Sequence, residues 1–173
     1  MTKATLALAC VLSVGLMSPL RAEDDILLKF NGGIGVIPVS NAVQNADGTV
    51  TVSRNVVRGV NPPGQIWVIA RLKAEVTLNG HIRVHGRGLL LGGGNAIGGT
   101  ANQSVHATLI CSAAAPFDQF NTPTAGVPLE PNGDFTIDDD LTPTPPVVCA
   151  SPVLLIRNVG GAWFAAGIPK LED

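Results

Sequence analysis

Beyond residue 22, no window of about twelve residues keeps apolar side chains at helical three-and-four spacing without a Gly or Pro breaking in. The 20 Gly and 13 Pro punctuate a chain that is otherwise rich in Val, Ile, Leu and Ala. That punctuation excludes helical architectures and leaves short strands joined by turns. Period-two alternation runs throughout. Its longest instance is 66–78, where Ile66, Val68, Ala70, Leu72, Ala74, Val76 and Leu78 alternate with Trp67, Ile69, Arg71, Lys73, Glu75 and Thr77. This reads as one long strand with a buried face, its other face apolar at first and then polar.

Asn79-Gly80 marks a turn into a second strand at 82–91. Parity selects its register. A two-residue loop would set Val76 opposite Arg83 and mix the two faces. A three-residue loop, Leu78-Asn79-Gly80, with Gly80 left-handed, pairs Val76 with Ile82, Ala74 with Val84 and Glu75 with Arg83. Further strands are expected at 26–30, 34–39, 49–57, 105–111, 125–129, 135–137, 153–157 and 163–168, separated by breaker clusters such as Asn45-Ala46-Asp47-Gly48 and Pro131-Asn132-Gly133-Asp134. The expected fold is all-β, an antiparallel two-sheet β-sandwich with an up-and-down β-barrel as the alternative. Leu27 to Gly33 and Leu154 to Gly161 echo each other, which similar turn chemistry explains without a duplication.

The amino terminus reads as a secretory signal peptide over 1–22: Lys3 supplies positive charge, 4–17 is an uncharged apolar run, and Ala22 ends a cleavage region. The run is too short to span a bilayer, and no later stretch is long enough, so no transmembrane segment is expected in the mature chain. Cys10 is a poor lipoprotein cysteine, because Leu8-Ala9 does not match that cleavage pattern. A single all-β domain is then expected over 23–173, in a secreted or periplasmic location. Cys111 and Cys149 are the two cysteines left, and an even pair in an exported chain reads as a disulfide. It closes a loop worth about 4 kcal/mol by the chain-entropy argument.

Loss of Lys3 and Arg21 leaves nine basic residues against thirteen acidic ones, a formal net of −4. With no Tyr and few other aromatics, that balance argues against nucleic-acid binding. The catalytic and metal patterns fare no better. His81 and His85 would sit roughly 13 Å apart on a strand at about 3.3 Å per residue, too far to share an ion. His106 reads as a surface or hydrogen-bonded histidine, and Asp138-Asp139-Asp140 as a solvated turn that lacks the spacing of a calcium loop. The glycine-rich stretch from Gly92 to Gly99 lacks both the Gly-Lys-Ser/Thr ending and the G-x-G-x-x-G spacing of a phosphate cradle. There is no Cys-x-x-Cys and no Gly-x-Ser-x-Gly. No cofactor, metal or catalytic residue is assigned.

One feature rises above this background. The register above places Arg71, Lys73, Arg83, His85 and Arg87 on a single face, a basic patch in an acidic protein. These five are the candidate ligand-binding residues, for an anionic surface or protein partner. The expected function is an exported, non-enzymatic binding module. The alternatives are a barrel carrier of a small apolar ligand, with Ala70, Ala74, Gly86 and Gly88 turned inward, and a hydrolase assembled from distant residues.

Overall fold

The computed structural model describes residues 26–170. The expected signal peptide and its cleavage point lie outside the described residues. Thirteen strands follow one another without a helix among the described residues: β1 (Ile26–Gly35), β2 (Val39–Gln44), β3 (Val50–Arg54), β4 (Trp67–Val68), β5 (Arg71–Thr77), β6 (His81–Arg87), β7 (Leu90–Leu91), β8 (Ser104–Ile110), β9 (Gln119–Asn121), β10 (Val127–Pro128), β11 (Phe135–Asp140), β12 (Val153–Asn158) and β13 (Trp163–Pro169). Nine of them form one sheet, ordered β10-β8-β12-β13-β1-β5-β6-β11, with β9 on β8. Every pairing is antiparallel. The sheet curls into a nearly closed barrel, and its halves face each other across one core as the layers of a sandwich do. Leu72, Val76, Ile82, Val84, Leu109, Leu154 and Ile156 are completely buried there.

The β5–β6 hairpin has the register that parity selected, with Val76 opposite Ile82, Ala74 opposite Val84 and Glu75 opposite Arg83. Gly80 has φ +90°, the left-handed conformation this turn needs. The expected strand 66–78 is different. It breaks at Ile69 and Ala70, and the two pieces join different sheets, because the partner changes too: β5 pairs with β6, whereas β4 pairs with β7. The break reverses the buried parity. Trp67 turns inward to stack on Phe164 at 4.0 Å between centroids, while Ile66, Val68 and Ala70 face solvent.

Asn31-Gly32-Gly33 also departs from expectation, since it is a bulge inside β1 and not a turn between two strands. Its register shifts between Phe30 and Gly33 as β1 leaves β5 and runs past β4. The approach is so close that a Cβ on Gly35 would stand 2.2 Å from the Trp67 carbonyl oxygen. The two echoing segments thus form a bulged strand in one case and the β12–β13 hairpin in the other.

The disulfide joins Cys111 to Cys149 with Cα atoms 4.7 Å apart. Arg58 fastens the same region to the turn Val57 to Val60. Its guanidinium donates to the Ser112 carbonyl and to Ser151 Oγ, and it lies 5.6 Å from the Phe117 ring centre. The β2–β3 hairpin stands apart, every residue exposed, with Asn45 donating to Thr49 and Thr51 across its turn.

Candidate functional site

Alternation in β5 and β6 buries Leu72, Ala74, Val76, Ile82 and Val84, which leaves Arg71, Lys73, Glu75, Arg83, His85 and Arg87 exposed on the opposite side. The structure therefore brings all five expected residues together. Arg71 lies opposite Arg87, Lys73 opposite His85, and Glu75 opposite Arg83. Lys73, Glu75, Arg83 and His85 border a shallow hollow of about 180 Å³.

Two flanking strands decide how these charges are balanced. β1 places Lys29 beside Glu75, and β11 places Asp138 beside Arg83, so one row reads Lys29, Glu75, Arg83, Asp138 with alternating sign. Arg83 Nε donates to Asp138 at 3.0 Å. The hydrogen bond from Arg83, and then His81, holds the Asp138 carboxyl below the usual carboxylate range. The acidic run is thus not the expected turn. It is the end of β11, and a neighbouring strand that carries His81 and Arg83 explains why three aspartates sit in a sheet. His81 reaches two of them, with Nε2 2.8 Å from Asp138 and Nδ1 3.0 Å from Asp140.

The next row, Asn31, Lys73, His85 and Thr136, holds no carboxylate. At the far end of the face Arg71 and Arg87 make no ion pair among the described residues. Asp134, which precedes the Phe135–Gly86 pair, instead accepts from the Gly88 N–H at 3.0 Å. Positive charge accordingly concentrates at the Arg71–Arg87 end and fades toward Arg83.

A second polar region lies on β8 and β12, where His106 meets Arg157, and Arg157 in turn Thr108 and Gln119, three residues that sequence reasoning did not single out. His106 is buried opposite Arg157, and its Nδ1 has no partner among the described residues. It is therefore neither the surface nor the fully satisfied histidine expected. Burial, and then the adjacent Arg157 charge, lowers its pKa from 6.5 to about 4, which keeps the ring neutral. Arg157 donates to Gln119 at 2.7 Å, to the Gly161 carbonyl at 2.9 Å and to Thr108 at 3.3 Å. The one sequence signal was a lone Arg closing the apolar run Leu154-Leu155-Ile156 with no acid nearby in the chain.

The small inward positions are largely filled. Gly86 yields its space to the Phe135 ring, Ala74 is buried in the core, and Ala70 is exposed. An apolar groove of about 390 Å³ opens on the surface between Ile37, Pro38 and Val39 on one side and Ile66, Gly93 and Gly94 on the other. Among the described residues no three His, Cys, Asp or Glu side chains gather as metal ligands, and no helix is long and apolar enough to cross a membrane. Neither a family model, nor a curated protein, nor a solved structure matches this chain.

Proposed function

We propose that the protein is an exported, non-enzymatic binding module that meets an anionic partner with the basic end of its β5–β6 face. Arg71, Lys73, His85 and Arg87 form the contact, and Arg83 lies at its border because Asp138 shares its charge. One observation carries the reading: Arg71 and Arg87 are exposed cross-strand neighbours with no carboxylate paired to either among the described residues. Like charges so placed oppose folding, and an anion seated across them relieves the repulsion. The residues lie on an open sheet face, where water is not excluded and catalysis by positioned groups has little leverage. Export rests on the amino-terminal pattern and on the disulfide, which suits an oxidising compartment.

Retention on immobilised heparin, used as a generic polyanion, tests the proposal. A protein with a net charge of −4 after processing should be retained only through a local patch. The wild type is expected to bind at low salt and elute as salt rises, and the Arg71→Glu/Arg87→Glu variant to flow through with its circular dichroism unchanged. Equal elution of the two would remove the basis for the reading.

A further inference from the structure

Away from the β5–β6 face, a polar hollow of about 390 Å³ lies over the end of β12, bordered by Arg54, Asn61, Gln119, Arg157 and the Gly160-Gly161 turn. No Asp or Glu lines it. We propose that this hollow is a binding site for a small oxyanion-bearing molecule, its phosphate or carboxylate group held between Arg54 and Arg157.

The argument begins with the half-buried Arg157. Nε and Nη1 are spent on Gly161, Thr108 and Gln119, which fix the plane of the guanidinium. Nη2 has no acceptor among the described residues. Its side of the fork is open because residue 161 is glycine: a Cβ there would stand 3.0 Å from Nη2. A guanidinium stays charged at any physiological pH, so taking it out of water without a counter-charge is unfavourable. Burial indeed pulls the Arg157 pKa below its usual value. Gln119 turns its carbonyl oxygen toward Arg157, which leaves its amide nitrogen as a further donor. Arg54 uses Nη2 to reach the Pro62 carbonyl at 2.9 Å and forms no ion pair among the described residues. The lining is thus rich in donors and cations and poor in acceptors, the complement of an oxyanion.

The walls are fixed before any ligand arrives. Trp163 donates from its indole nitrogen to the Asn55 carbonyl at 2.9 Å and from its backbone to Asn61 at 3.1 Å, which anchors the 55–61 segment over β13. Asn158 accepts from the Gly161 and Ala162 N–H groups at 2.8 and 2.9 Å and sets the turn. At this size the hollow exceeds a bare phosphate and falls within the range of small-molecule pockets, so the ligand carries a polar body that meets Asn61 and Gln119.

The test titrates the disulfide-intact protein with inorganic phosphate and, separately, with succinate, while amide and Arg Nε signals are followed by NMR. Saturable shifts at Gly160, Gly161, Ala162 and the Arg157 Nε–H are expected with at least one probe, and the probe that saturates first separates phosphate from carboxylate chemistry. Arg54→Gln, at an exposed position, is expected to weaken binding by about tenfold without altering the fold. Arg157→Gln should abolish the shifts, and the exposed Arg54 variant keeps the test valid should that protein fail to fold. Shifts that rise linearly without saturation, that spread equally over the β5–β6 face, or that persist unchanged in Arg54→Gln overturn the proposal. None of these outcomes depends on heparin retention, so the two readings stand or fall separately.

Discussion

Acidification should destabilise this protein through one side chain. His106 is 2% exposed, its Nδ1 has no partner among the described residues, and its pKa falls from 6.5 to about 4 on burial beside Arg157. The unfolded chain takes up this proton at a higher pH than the folded one. Stability is therefore complete above about pH 6.5, declines as the pH falls toward 4, and declines no further from this source below that. At roughly 1.4 kcal/mol per pH unit across that window, the loss amounts to about 3 kcal/mol. This is a large share of the roughly 5 to 15 kcal/mol typical of a domain. Asp138, held down chiefly by Arg83, and Asp47, held down chiefly by the Thr49 hydroxyl, withdraw their support around and below the ordinary value of 3.8, at the foot of this window. Urea unfolding followed by tryptophan fluorescence, from about pH 7 down to about pH 4, measures the effect. His106→Leu should flatten the curve over that range. A variant as pH-dependent as the wild type would show that some other group is responsible.

Two further outcomes are expected. Replacing both Cys111 and Cys149 by Ser frees a loop of sequence separation 38 and should lower stability by about 4 kcal/mol, read as a shift in the urea midpoint; an unchanged midpoint would mean the bond constrains nothing that the sheet does not already hold. Intact mass of the protein recovered from an exporting host should place Glu23 first, and retention of residues 1–22 would refute the signal-peptide reading.

Local rules carried the sequence analysis wherever one strand pair determined the answer. The β5–β6 register followed from Asn79-Gly80 and the Glu75–Arg83 match, and the basic face came with it. The break at Ile69 and Ala70 was hidden because alternation runs on unbroken through 66–78. What interrupts it is a change of partner strand, together with the pull of Phe164 on Trp67. The three aspartates at the end of β11 carry poor strand propensity, and only the cations of β6 beside them make a strand favourable. Arg157 shows the deeper limit. Its interest lies in the lack of a carboxylate among the described residues around it, and the residues that border its hollow, in the segment 54–62 and at Gln119 on β9, are distant from it in the chain.

β1 hydrogen-bonds to β13 in the middle of the large sheet, so the first described strand and the last are neighbours. For a chain threaded amino-terminal end first through a membrane pore, this sets the order of events. Until residues 163–169 emerge, β1 lacks one of its two partners and β12 lacks the hairpin partner that covers its edge. Closing a contact across nearly the whole described length is entropically slow, and nothing nearer in sequence replaces it. The large sheet thus closes only once β13 is available, whichever local pairs, such as β5–β6 or β1–β5, form earlier.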